Sequence, residues 1–281
     1  MQDVIKISQY SSLNFSKWKH YFEKDEKYIQ VFTFDDIIRT QLSINQDYDI
    51  SVVLIDLNTN QKKDVDLVFL ESDADYDTFY FQYQRMDYGL YKIEIAERGY
   101  NDILAECCFE IIDSHRERDT VKLRYTNLEN LSGTAFINNN GGNNIFDFRV
   151  EGGFLFQNIQ FNVESNNFRN QLYNNIQLSA YPYEVKKLTI GTCRGVPVWV
   201  ARKINLIFSL SEVMINGDTY VRSEGSQPEV IQLDALYPLY VINIDVEPDN
   251  FDIEKGSITS LLLTEKREYL MTEDRYRLKI E

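Results

Sequence analysis

GVPVWVARKINLIFSLS (195–211), followed after Glu212 by VMINGDTYV (213–221), is the stretch on which the fold turns. It holds the one clearly helical pattern of the sequence. Pro197 suits a first helical turn, where its missing N–H leaves nothing unpaired. Val200, Ile204, Ile207 and Phe208 recur at i, i+4, i+7 and i+8 and make a single apolar stripe, with Arg202, Asn205 and Ser209 gathered opposite. The spacing predicts one main α-helix over about 195–209. Asn216-Gly217 then supplies the two positive φ values of a type I′ turn and predicts a hairpin.

Trp199, Leu206 and Leu210 fall on a flank away from that stripe. A helix lying on one sheet needs one stripe, so this flank needs another surface: loops of the same domain, the first domain, or a neighbouring subunit. Trp199, Leu206 and Leu210, with Trp18 near the N-terminus, are therefore the candidate subunit-interface residues.

Outward from this stretch the chain reads as strands and turns. DISVVLIDL, DVDLVFLES, TFYFQYQ, GLYKIEIAE and ILAECCFEIID are short runs rich in β-branched and aromatic residues, separated by polar turns. They predict an immunoglobulin-like β-sandwich over 41–115, although the Cys…Trp…Cys spacing of antibody domains is absent. Residues 1–40 read as an arm leading into a first strand, YIQVFTF, with Phe15, Trp18, Tyr21 and Phe22 covering the edge of the first domain or docking on a neighbour. The charged segment SHRERDT (114–120) marks a boundary, and a second, β-rich domain is expected over 120–281. FDFRVEGGFLFQNIQFNVES, FRNQLYNNIQLSAYPY and EVKKLTIGT read as three strand-bearing pieces of it, and EVIQLDALYPLYVINIDVEP as a further strand. In the tail, LLTEKREY and LMTEDRY make a weak repeat before RYRLKIE, which alternates apolar and basic residues. The expected fold is mainly β, a sandwich plus a β-rich domain with one main helix.

Composition narrows the function. The chain of 281 residues carries 44 Asp and Glu against 29 Lys and Arg, a net charge of −15 with a pI near 4.7. Such a surface opposes phosphate backbones, so nucleic acid is not an expected partner. No run approaches 18 apolar residues and the N-terminus lacks a signal-peptide core, so neither membrane insertion nor export is expected. Of three cysteines, Cys107 and Cys108 are adjacent, which predicts one buried and one less buried thiol rather than a disulfide framework.

Catalytic and cofactor motifs are missing. His20 and His115 are the only histidines, and each stands beside Lys or Arg, which leaves no His-based triad and no HExxH zinc site. No G-x-S-x-G elbow or metal-spaced cysteine pair occurs. Asp73, Asp75 and Asp77 form a D-x-D-x-D run, but Thr78 and Gln84 stand where an EF-hand needs Gly and Glu, leaving a solvated turn or a looser cation loop. A carboxylate pair of glycosidase type is open to almost any acidic chain. The Asn-Gly-rich run at 138–144 lacks the Lys-Ser/Thr of a phosphate cradle and reads as a surface loop. No enzyme activity and no cofactor are expected.

FRVEGGF (148–154), FRNQLYN (168–174), LSAYPYEVKKLTIG (178–191), GVPVWVARKINLIFSLSEVMINGDTYVRSEG (195–225), YPLYVINIDVEP (237–248) and the terminal LLLTEKREYLMTEDRYRLKIE resemble proteins from tail gene modules of phages and prophages of Bacteroides and its relatives. The likeness spans most of 120–281 and is weaker before it. It implies a virion structural protein of the tail or baseplate, made in the bacterial host cytoplasm. It also implies partners among its own copies, in a symmetric ring, and other virion tail proteins; no functional residue carries over. A carbohydrate-recognising adhesin at the tail tip, with Tyr181 and Tyr183 around Pro182 as its platform, and a head–neck connector are the alternatives.

Overall fold

The computed structural model describes residues 4–15, 28–100, 102–131, 133–138, 141–169, 173, 175–192, 194–233 and 239–249, together with 260, 261, 279 and 280; the side chains of 155–158 are left aside. Residues 1–249 form one compact unit and 250–281 another. The second is described only as the short pair β18 (Ser260–Leu261) and β19 (Lys279–Ile280). The LLTEKREY/LMTEDRY repeat and Trp18 lie outside the described residues.

The first unit is mainly β. Its N-terminal part has nine strands: β1 (Ile5–Ile7), β2 (Gln30–Phe32), β3 (Ile38–Asn45), β4 (Ile50–Asp56), β5 (Lys62–Asp64), β6 (Val68–Ser72), β7 (Tyr76–Tyr83), β8 (Gly89–Glu97) and β9 (Ile103–Ile111). They make two sheets, β1-β3-β7-β6 and β2-β9-β8-β4-β5. This is the ABED-plus-GFC order of an immunoglobulin-type sandwich, with an extra strand at each end of the second sheet. Alternation drives it: Val52 and Leu54 on β4, Ile93 and Ile95 on β8, and Cys107 and Phe109 on β9 all point into one core, which Leu42 and Phe81 close from the other sheet. The adjacent cysteines obey the same period, Cys107 buried and Cys108 half-buried, both free.

SHRERDT holds a one-turn helix, α1 (Ser114–Glu117), whose N-cap Asp113 accepts from the backbone N–H of His115 and Arg116. Beyond it lie β10 (Thr120–Thr126), β11 (Phe146–Arg169), β12 (Asn175–Ile190), β13 (Val196–Pro197), α2 (Val198–Ile207), β14 (Glu212–Ile215), β15 (Asp218–Arg222), β16 (Glu229–Gln232) and β17 (Leu239–Pro248). Six of these close a ring of antiparallel pairs: β10 with β11, β11 with β12, β12 with β17, β17 with β15, β15 with β14, and β14 back to β10. The second region is therefore a barrel, and closure removes the free edges that an open sheet would expose. β13 and β16 add to β17 outside the ring.

Leu123, Phe148, Ile190, Ile215 and Ile244 line the barrel core, and α2 lays Val200, Ile204, Ile207 and Phe208 into it, as the stripe predicts. Arg202, Asn205 and Ser209 face out. The helix begins later than its sequence suggests, because Pro197 takes an extended conformation (φ −68°, ψ 158°) as N-cap and closes the β13 bridge to Leu239. The hairpin β14–β15 turns at Asn216 (φ 52°) and Gly217 (φ 104°), both left-handed as a type I′ turn requires.

Two corrections concern strand count and the N-terminal arm. The three pieces read between 146 and 192 are two long strands, β11 and β12, joined in one hairpin. The N-terminal arm does more than cover the sandwich: Ile5, Leu13 and Phe32 belong to the sandwich core, while Tyr10 is buried in the barrel core and Tyr28 packs against it.

The two cores are joined by buried polar pairs. Arg149 donates two bonds to Asp36 (2.6 and 2.9 Å) and others to Thr120 and Thr33. Arg124 donates two to Asp147 (2.8 Å each), whose carboxylate also accepts from the Ile37 N–H. The Gln41 amide pairs both ways with the Ala135 backbone, at 2.8 and 2.9 Å. Asp36 and Asp147 are fully buried, and these donors satisfy their carboxylate oxygens.

Candidate assembly surface

β11 alternates at both ends, with its phase changed between Phe154 and Ile159, and its surroundings change as well. At its start Phe146, Phe148 and Val150 point into the barrel core, and Asp147 and Arg149 point the other way into the polar junction with the sandwich. Gly152 marks where the strand leaves β10 for β12. A Cβ there would stand 2.4 Å from the Thr189 carbonyl oxygen, at a φ of 154°, so the close approach demands glycine. The register then shifts between Phe154 and Ile159, and the two strands run on as a hairpin arm from Ile159–Lys186 to Arg169–Asn175.

Nothing in the described part of the chain covers this arm. Phe161 is 80% exposed, Val163 59%, Leu178 62% and Phe168 53%. Directly paired residues share a face, so Ile159 with Lys186, Phe161 with Glu184, and Val163 with Pro182 lie on one side. On the other lie Asn162 with Tyr183, Glu164 with Tyr181, and Phe168 with Ile176. Over 159–169 and 175–186 the charged residues are Glu164, Arg169, Glu184 and Lys186, two of each sign, and Lys186 pairs with Glu184 at 3.5 Å.

An isolated two-stranded hairpin is marginally stable in water, and natural edges are protected by charge, proline or cover. The charges of this arm are few and cancel. Its one proline, Pro182, sits opposite Val163 on β12, and a proline fits a ladder where its missing N–H faces outward. Pro182 thus blunts the β12 edge and leaves the β11 edge open.

The structure separates the helix residues singled out from the sequence. Leu210 is 9% exposed and packs in this chain's own core. Trp199 and Leu206 are half-buried against the same core. Trp199 packs edge-on to Tyr28 (5.7 Å between ring centres) and Phe148 (6.2 Å). Both also line a cavity of about 510 Å³ between α2, the N-terminal segment and Leu104 on β9. Much of the helix flank is thus met by the chain's own N-terminal segment.

Lys203, beside them, is the one buried residue of α2 that no apolar pattern anticipates. Its ammonium donates to the carbonyls of Gln9 and Ser11, 2.5 Å each, and burial pulls it down to about 7. Comparison with family models, with curated proteins and with solved structures finds no match to this chain.

Tyr181 is half-exposed and Tyr183 more covered, and both stand on a strand rather than on a loop. The Asp73-Asp75-Asp77 run forms the turn between β6 and β7. Asp73 spends its carboxylate on the N–H groups of Asp75 and Tyr76 (2.9 and 2.8 Å), which holds it below the usual carboxylate range, and Asp77 accepts from Ser72 and Gln46. Among the described residues no three His, Cys, Asp or Glu side chains gather to hold a metal ion, and no helix is long and apolar enough to cross a membrane.

Long alternating strands signal an arm only when their partners are known. Ile159, Phe161 and Val163 alternate with Gln160, Asn162 and Glu164 like any half-buried strand. The usable sign was the sparse charge over the same residues.

Proposed function

We propose that this protein is a non-enzymatic structural subunit of a phage tail or baseplate that works as part of a symmetric oligomer. The observation that carries the reading is the arm: a paired strand segment projecting beyond a closed barrel, with Phe161, Val163, Phe168 and Leu178 exposed and nothing in the described chain to bury them. Contiguous exposed apolar surface of this kind marks a contact with another molecule. The buried bonds of Arg149 with Asp36 and of Asp147 with Ile37, which tie the barrel to the sandwich, support the same reading, since an arm needs an anchored base. The tail or baseplate setting rests on the resemblance of the 148–154, 168–174 and 178–225 segments to phage tail proteins.

Negative-stain microscopy and light scattering of the purified chain test it. Rings or another closed multimer of identical copies are expected. A single-chain mass at every concentration up to ~100 times that used for microscopy overturns the reading.

A glycan-binding tail-tip module is the second reading. Tyr181 and Tyr183 support it, because they share one strand face with Asn162 and Glu164 and so combine aromatic surface with polar groups. A glycan array on which Tyr181→Ala loses the signal of the parent chain favours it, and a blank array for the parent removes it.

A further inference from the structure

Resting on the assembly reading above, we propose that a second copy of this chain covers the hairpin arm, packing on the face of Ile159, Phe161, Val163 and Pro182 and adding a strand along the open β11 edge. Three observations choose that occupant.

The first is electrostatic. Copies carrying a net charge of −15 repel one another, and an arm whose charges cancel, Glu164 and Glu184 against Arg169 and Lys186, is where they approach at least cost. A strongly basic partner or a nucleic acid finds no net counter-charge there. The second is geometric. About eleven residues at ~3.3 Å each, two strands wide, give on the order of 350 Å² per face. Stable interfaces bury about 800 Å² per partner, so the packed face alone is too small, and the strand added along the β11 edge must extend it.

The third is the edge asymmetry. Because Val163 faces Pro182, the N–H groups of Phe161, Val163 and Ser165 point away from β12. They form a row of donors that an incoming strand can use, whereas the β12 side is interrupted by Pro182 and by the register shift between Asn166 and Asn167. An arm given to the next copy is a heterologous contact, which closes into a ring when the rotation allows.

The test compares the parent chain with the double variant Phe161→Asp/Val163→Asp and with Ser165→Pro, by light scattering across a concentration series. At high dilution all three are expected to share one unfolding midpoint, since the arm lies outside both cores. The double variant is expected to fall to single-chain mass. Ser165→Pro, which removes one outward donor and leaves the hairpin ladder whole, is expected to weaken association at least tenfold. A photo-crosslinking benzoylphenylalanine at position 161, in a mixture of isotope-labelled and unlabelled chains, is expected to give light–heavy peptide pairs.

A parent that assembles while the double variant assembles equally well overturns the arm proposal and leaves the assembly reading standing. Cross-links confined within single molecules overturn it too. A parent that never assembles overturns the assembly reading itself.

Discussion

The two halves of β11 obey the same rule and meet different surroundings. Phe146, Phe148 and Val150 alternate with Asp147 and Arg149, and both faces are buried, one in the barrel and one against the sandwich. Ile159, Phe161 and Val163 alternate with Gln160, Asn162 and Glu164, and the apolar face stands in solvent. Alternation tells which side chains share a face, but only the pairing of distant strands decides whether that face is covered. β10 and β14 provide the cover at one end of the strand. At the other, the described chain provides none.

The contrast is broken most forcefully at its buried end. Phe148 is fully buried and packs on Trp199. Phe148→Ala is expected to cost about 3–5 kcal/mol in urea unfolding, since neighbours clamped in a closed barrel relax little into the cavity. A loss below about 1 kcal/mol would mean that this end is no better packed than the arm.

Asp36→Asn probes the other buried face of the same segment. It strips the partner from Arg149, whose guanidinium is almost wholly buried and spends two bonds on that carboxylate. Removing one member of a buried pair leaves Arg149 with only the half-exposed Glu117 carboxylate at 3.3 Å, so a destabilisation on the order of 3 kcal/mol is expected. If the sandwich and barrel melt as one transition in the parent chain and as two in the variant, the pair is what couples the cores.

Lys203 gives a milder, pH-dependent handle on the same junction. Its ammonium is drawn down to about 7 by burial, while an unfolded lysine holds its proton to about 10.4. Between those values the unfolded chain binds more protons, so stability rises with pH across that window and this group adds no slope below it. The slope from Lys203 approaches ~1.4 kcal/mol per pH unit. Urea midpoints measured from pH 7 to 9 are expected to climb in the parent and to flatten in Lys203→Met.

How much of this was legible in the sequence follows from how local each signal is. The apolar stripe at Val200, Ile204, Ile207 and Phe208, the Asn216-Gly217 turn and the short sandwich strands were readable because period and turn chemistry act within a few residues. The barrel was not, since it is closed by pairs such as Leu123 with Ile215 and Leu188 with Ile244, which no local pattern reports. Burial of Lys203, Asp36 and Arg149 was equally hidden, because their partners lie far along the chain. The arm was masked by its own composition: Asn, Gln and Gly punctuate 152–177 like turns, so two long strands read as three short ones.

The smallest effect sharpens the comparison most. Phe161→Ala and Val163→Ala remove side chains as apolar as Phe148 from the same strand, yet each is expected to change the unfolding free energy of the dilute single chain by no more than about 0.5 kcal/mol, because groups already in water lose no burial when truncated. At concentrations where copies associate, the same substitutions should lower the apparent midpoint, since binding that favours the folded form adds to its stability in proportion to ligand saturation. A midpoint that depends on concentration in the parent and not in Phe161→Ala would place the missing cover in another copy of the chain. A loss of several kcal/mol at high dilution would instead mean that the arm folds back on its own chain, and the two ends of β11 would differ in nothing but the order in which their partners arrive.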